Sequence, residues 1–440
     1  DVTGSVGPIR GEEINKQPSP NPISSLQGKI AGVQITNSGA PGASPQITIR
    51  GIGTAYGSST PLYVVDGIWF DDISFLNPAD IDNISILKDA SSESIYGIRA
   101  ANGVVLVTTK KGRGTTPTVN YNGFVGWQRV TNEIKMANGN QFATMVNELR
   151  VINGGTPLLN PSEFGEGTNW NRQILRNALI TNHQVSVGGG TSSNNYTFSL
   201  GYVSQDGIVE KNNFTRYTAR LQNDIQVASP LKVGYVITGA YSNSKDIPGG
   251  IFHEIYSAAP IVPVYYADGS YGDPSDYNLG DAANFNPQVT LDFFDQHSKN
   301  YRMNGSAFAA LKFLRHFTWN STVGSEFGQA EVRNYLPVYS ATLKQRNTES
   351  RLGLSRGETR NWILENTLTF DKRFDDHNVR VLVGQAAQRY RSYGFAASAP
   401  NVPNNSEGDL YLRLVTAGNI NTSNFGDMWT ITFYFERISF

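Results

Sequence analysis

The residues able to do chemistry are few and dispersed. The five histidines, His183, His253, His297, His316 and His377, stand at no metal-ligand spacing, and neither an H-E-x-x-H helix nor a G-x-S-x-G elbow occurs. The 440 residues include no cysteine, which removes disulfides, thiolate metal sites and cysteine nucleophiles. Gly51, Gly53 and Gly57 are spaced like a loop that approaches phosphates, but no helix pattern follows and the Gly-Lys pair of a nucleotide loop is missing. Asp292 and Asp295 offer carboxylates to a cation without the ligand series of a calcium loop. What is left is binding. Trp69, Phe70, Asp71 and Asp72 set two aromatic faces beside two carboxylates, which suits sugar rings and hydroxyls; the same four also read as a buried aromatic pair beside two solvated acids. Tyr265 and Tyr266 belong to a second aromatic group with Phe252, Tyr256, Tyr271 and Tyr277, which lines a vestibule, faces a partner or packs a compact loop.

Composition narrows the class further. Only 39% of residues are hydrophobic and 44 are glycine, little apolar material for so long a chain. With 36 basic against 37 acidic residues there is no basic field to hold nucleic acid. No run of about 18 apolar residues exists, so helical membrane spans are excluded.

The elements that must position these residues are densest between positions 63 and 112. Tyr63-Val64-Val65 reads as a buried strand broken at Asp66-Gly67, where glycine accepts the positive φ of a tight turn. Asn77 caps a short helix with Pro78 at its first position. Ile84 and Ile86 alternate as a strand, Asp89 caps a second helix over 90–96 that Gly97 stops, and 103–109 closes the unit as a β-branched strand. Upstream, 22–29 fits a short helix, and 33–36 and 47–50 fit two alternating strands around a Gly/Pro/Ser turn.

This segment resembles the plug-domain signature of SusC/RagA-type TonB-dependent outer-membrane transporters. The resemblance rests on five pieces in order: the V-D-G turn (Asp66, Gly67), the N-P-x-D-I helix start (Asn77, Pro78), L-K-D-A-S (Lys88, Asp89), I-Y-G-x-R-A-A-N-G-V (Tyr96, Gly97, Arg99, Asn102, Gly103) and the T-T-K-K-G exit. It implies a mixed α/β plug domain inside a transmembrane antiparallel β-barrel of about 22 strands, located in the bacterial outer membrane. It also implies energising by TonB with its inner-membrane complex, a SusD-like surface lipoprotein over the mouth, a cargo of oligosaccharide or, in some members, oligopeptide, and no cofactor.

After Gly114 the chain alternates strictly. Tyr217, Ala219, Leu221, Asn223, Ile225 and Val227, mostly apolar, are separated by polar neighbours, giving a strand with one greasy and one wet face. The pattern recurs at 119–127, 185–187, 196–202, 231–241, 301–313, 317–327, 362–370, 379–383 and 429–435, about ten strands in all. Short links near 190–194, 228–230, 314–316 and 374–378 alternate with long ones at 129–182, 242–300, 328–359 and 391–428 when the modest link at 204–214 is counted among the long, the pattern of periplasmic turns and outer loops. Trp127, Tyr202, Tyr241 and Trp429 suit the interfacial girdles. The expected division is a plug over 1–114 and barrel wall over 115–440. Ten strands do not enclose a plug of this size, so further wall strands are expected beyond Phe440. The expected function is import across the outer membrane without catalysis. The competing reading is a secreted glycan-binding or glycan-hydrolysing β-protein, which would need two carboxylates facing one cleft.

Overall fold

The computed structural model describes residues 7–16, 19–51, 59–88, 94–112, 114–279, 285–375, 377–402, 411–412, 415, 417–419 and 420–439. Its first part contains β1 (Gly7–Arg10), α1 (Gly11–Asn15), β2 (Val33–Thr36), β3 (Gln46–Ile49), β4 (Leu62–Val65), β5 (Ile68–Phe70), β6 (Ile81–Leu87) and β7 (Val104–Thr109). Five of these strands form one sheet in the order β1-β6-β7-β4-β5, and β2 pairs with β3 separately. The two φ > 0 residues of the β4–β5 turn are Asp66 (φ 48°) and Gly67 (φ 88°), the hairpin geometry that the right-handed strand twist selects. Val64, Ile84, Ile86, Val105 and Trp69 are all buried in a continuous apolar core. The helix expected at Asn77 is a single 3-10 turn, Pro78–Asp80, capped by the Asn77 side chain accepting from the Ala79 N–H at 3.0 Å. Asp89 and 90–93 lie outside the described residues; 94–100 forms two 3-10 turns across Gly97, whose φ of 62° makes it a kink rather than a stop.

The second part is a ten-stranded antiparallel sheet in sequence order: β8 (Thr118–Gln128), β9 (Ala178–Gly190), β10 (Asn194–Asp206), β11 (Asn213–Ala228), β12 (Leu231–Lys245), β13 (Asp295–Phe313), β14 (Phe317–Leu336), β17 (Arg351–Phe374), β18 (His377–Pro400) and β19 (Asn421–Ser439). A hairpin of β15 (Tyr339–Ser340) and β16 (Arg346–Asn347) sits in one long loop, and two others carry α2 (Gly139–Ile152), α3 (Trp170–Ile174), α4 (Ile251–Ser257) and α5 (Pro287–Phe293) around a small core of their own. The strands run well past the expected limits: β17 and β18 have 24 residues each. Greasy alternation ends where a strand leaves the apolar layer, whereas the backbone ladder needs no such boundary and continues, so the loops start later than the pattern indicates.

The wall is inside out. Asn182, Gln184, Arg216, Arg220, Gln222 and Gln388 are buried, while Val185, Leu200, Leu221, Met303, Val323 and Leu364 are exposed. The buried polar face meets the plug. From β9 to β19 nearly every strand touches it, so the sheet curls around the first domain. In the register, Tyr202, Tyr217, Tyr241 and Tyr301 lie opposite one another across four strands, with ring centroids 4.9–6.4 Å apart. Phe313, Phe317 and Phe370 form a second row at the turn end. Tyr301 and Phe313 are twelve residues apart on β13. At about 3.4 Å per residue and a tilt of about 40°, that is roughly 30 Å of height, the thickness of a bilayer's hydrocarbon core.

One strand departs from expectation. Trp429, Ile431, Phe433 and Phe435 read as the greasy outer face of β19, but they point inward: Ile431 lies opposite the buried Gln388, and the Phe433 ring stacks on Trp69 of the plug at 5.2 Å. Trp429 is therefore no girdle residue; it stacks on Tyr390 at 5.4 Å, with Arg99 over its ring. Alternation gives the period of a strand and leaves its sense open.

The plug exit explains the glycine of T-T-K-K-G. A Cβ on Gly112 would lie 2.1 Å from the Tyr196 carbonyl oxygen and 2.5 Å from that of Gly189, both backbone atoms of the wall. Gly112→Ala must push the linker off β9 and β10. We expect it to weaken the docked plug by about 1–3 kcal/mol, the usual cost of overpacking, and to speed tryptic cleavage after Lys110 and Lys111 several-fold in the full-length protein.

Candidate functional site

Three arginines from the wall reach the plug, two of them at the loop that follows β5 and one at the β4–β5 turn. Arg302, on β13, donates from Nη1 to Asp72 Oδ2 at 2.9 Å and from Nη2 to the Asp72 carbonyl at 3.0 Å, pairs with Glu326 of β14, and lies 4.6 Å over the Phe75 ring. Arg216, on β11, donates to the carbonyls of Ser74 and, at 2.8 Å, Pro20. Lower down, Arg220 donates to Asp66 Oδ2 at 2.9 Å, to Gln222 Oε1 at 3.0 Å and to the Thr109 hydroxyl, while Asp66 accepts from the Thr109 N–H at 3.0 Å. Thus the V-D-G aspartate closes a hairpin and fastens it to the wall. Arg99 of the plug pairs with Asp71 and donates to Gln388 Oε1 of β18 at 3.2 Å.

Above this floor opens a cleft of about 530 Å³ on the side of the long loops. Asp71, Asp72 and Phe75 form its base, and its walls include Gln329, Asn361, Tyr390 and Phe425. Among the described residues its cations are occupied: Arg302 by two carboxylates, Arg216 by backbone carbonyls. The surface left for a solute is amide, hydroxyl, aromatic edge and carboxylate.

The residues singled out from the sequence fall into three places. Asp71 is exposed and Asp72 half-buried, both on the cleft floor. Trp69 and Phe70, 1% and 5% exposed, are instead plug core, against Phe433 and Phe75 respectively. They belong to the hairpin strand β5, and only the residues after it emerge. Tyr265 and Tyr266 are not brought to the cleft: Tyr265 donates to Asp292 at 3.2 Å and Tyr266 to Asp276 at 2.6 Å within their own loop. Asp292 also holds Lys211 and Tyr271, and Asp295 holds Arg333 at 3.0 Å, so the two acids are committed to separate partners. Most of the remaining signature residues are structural: Lys88 donates to the Ala31 carbonyl at 2.9 Å, Asn102 to that of Thr60, Tyr96 sits edge-on to Trp69, Gly97 lies against Phe433, and Gly103 (φ 95°) packs on Ile49. Sequence reasoning missed Arg216, Arg220, Arg302 and Glu326; their only signal was charge on the wet face of a strand.

Asp72 titrates against this setting. Burial alone would raise its pKa, but the Arg302 guanidinium, with hydrogen bonds from Ser74 and Ser44, outweighs it and holds the carboxyl below its ordinary 3.8. A lowered folded pKa stabilises the attachment above the unfolded value and withdraws that stability as pH falls through the folded one. Asp80 has the opposite sign, raised by burial in spite of nearby Arg220. We expect the protection of the amides of residues 72–76, taken as the ratio of intrinsic to observed exchange rate at each pH, to fall as pH drops from about 5 to about 2, and Asp72→Asn to be weakly protected throughout, which isolates this carboxyl from Asp80.

Comparison with known proteins agrees with the geometry. The family model for the TonB-dependent receptor plug domain matches residues 1–104. TonB-dependent receptor P3 of Formosa agariphila is 32% identical over 422 residues, covering 91% of this chain and 40% of that protein. TonB-dependent receptor SusC of Bacteroides thetaiotaomicron is 32% identical over 377 residues, covering 77% of this chain and 37% of that protein. The chain thus spans less than half the length of these relatives. The RagAB peptide importer in its closed-closed state superposes with a TM-score of 0.86 at 23% identity, over 100% of this chain and 53% of that one. A plug held by buried charges inside an outward-greasy wall, with these relatives, indicates an outer-membrane protein, and the chain belongs to the SusC/RagA-type TonB-dependent receptors.

Proposed function

We propose that this chain supplies the plug and the first wall strands of an importer that carries oligosaccharides across the outer membrane, powered by TonB and capped by a SusD-like lipoprotein. The division between plug and wall falls near Gly114. Asp71 and Asp72 contact the solute from the floor, with the aromatic loop around Tyr265 and Tyr266 facing the partner above. The observation that carries the sugar reading is the cleft's chemistry: its cations are already paired, and what remains are amides, hydroxyls and the rings of Tyr390 and Phe425, groups that bind sugar faces and hydroxyls without needing a charged ligand. Uptake needs force from the inner membrane because the cleft ends on a docked plug.

Growth of a deletion strain on single glycans and on peptides as sole carbon source tests it. Loss of growth on one glycan class, restored by the full-length gene and not by a strain lacking TonB, is expected. Loss on peptides alone would replace sugar by oligopeptide as cargo. Cleavage of the glycan by purified protein would return the reading to a hydrolase.

A further inference from the structure

Above the greasy belt the outer face of the wall turns charged. The next outward residue beyond the belt is Lys299 on β13, Arg360 on β17 and Arg389 on β18, and Arg129 takes that position just past the end of β8; Lys299 lies opposite Glu331 of β14 and Arg360 pairs with Glu358 at 2.5 Å, while on β10, β11 and β12 the equivalent residue is uncharged. All four cations are exposed. At the β8–β9 corner the charge gathers into a cavity of about 550 Å³ lined by Arg129, Arg172 and Arg176, with Glu133 as its one carboxylate. Arg176 is fixed by the carbonyls of Gly207 at 3.1 Å and Asn212 at 3.2 Å, with Asp206 3.9 Å away. Among the described residues, the exposed guanidinium groups of Arg129 and Arg172 have no partner. Directly beneath, Trp127 and its cross-strand neighbour Leu179 are exposed, 74% and 40%, on the greasy face.

We propose that this corner binds a phosphate-bearing lipid headgroup of the outer leaflet, with the phosphate between Arg129 and Arg172 and the acyl chains along Trp127 and Leu179. Guanidinium forks match phosphate oxygens in pairs, and a cavity wet above and greasy below fits an amphiphile better than a free anion. The site is separate from the cleft and independent of the cargo. It rests on the membrane reading of the wall, which a belt substitution tests on its own.

The test uses full-length protein in detergent with three probes: phosphatidic acid, uncharged diacylglycerol of the same chains, and inorganic phosphate. Native mass spectrometry is expected to find phosphatidic acid retained at least tenfold more weakly by R129Q/R172Q, with R172Q intermediate and R389Q, in the same charged collar but away from the cavity, unchanged. Diacylglycerol should be indifferent to the arginines, and inorganic phosphate should not displace the lipid. Among the described residues neither guanidinium has a partner, so both variants should keep the heat-modifiable gel mobility of folded barrel; should the double variant misfold, R172Q alone carries the reading. Equal retention by the arginine variants, an equal loss in R389Q, or displacement by phosphate alone would each overturn the assignment.

Discussion

Val323→Arg is expected to cripple folding into a bilayer although the position is 50% exposed. On a water-soluble protein, arginine at so open a site would cost next to nothing, since surface substitutions usually stay within about 0.5 kcal/mol. Val323 lies on the outer face of β14, between Trp319 and Phe327, near the middle of the belt. There the guanidinium would have to sit in hydrocarbon, at about 2–4 kcal/mol for the midplane of an outer-membrane barrel. The measurement is the folded fraction of full-length protein in phosphatidylcholine vesicles across a urea series. Lys299→Ala, above the belt, should be nearly silent in the same series. A harmless V323R would mean that the greasy face does not meet lipid, and both the import reading and the lipid site would fall with it.

Arg220→Gln should loosen the plug more than the loss of any other single wall contact. The magnitudes separate the ion pairs. Lys111 and Lys232 flank Asp224 at 2.9 and 3.0 Å, but both lysines are more than 40% exposed, so solvent screens most of their worth. Arg220 is 4% exposed and Asp66 14%. Removing the cation leaves Asp66 charged between two protein surfaces, and breaking such a pair costs about 3–5 kcal/mol. Amide exchange of β7, with Thr109 as reporter, should therefore accelerate by two orders of magnitude or more, at about 1.4 kcal/mol per tenfold. D66N/R220Q, which removes both charges and keeps a residue tolerant of the φ > 0 turn, should sit closer to wild type than R220Q. If single and double variants exchange alike, the side chains act by packing and the charge argument is wrong.

Much of this architecture was readable in advance because it is written in local rules. The φ > 0 pair Asp66-Gly67, the Asn77 cap and the period-2 greasy residues of ten strands each depend on a few neighbouring positions, so one sequence carries them. The short links, at 191–193, 229–230, 314–316 and after Phe374, were equally legible. The candidate site was legible only in part. Asp71 and Asp72 are on the cleft floor, but Trp69 and Phe70, adjacent in sequence, are plug core, because β5 buries both its faces.

By itself the sequence determined the kind of molecule: a glycine-punctuated mixed domain, then strands whose greasy and polar residues alternate, in a charge-balanced chain without cysteine. Only the tertiary structure decided which side of each strand faces the plug, as the reversal of β19 demonstrates. It alone joined Arg220 to Asp66 across 154 positions and Arg302 to Asp72 across 230. Alternation fixes a period but not its sense, and a charge on a wet face does not name its partner; both are settled when a curved wall closes on one particular surface and every buried ion must find a counter-ion or hydrogen-bond acceptors there.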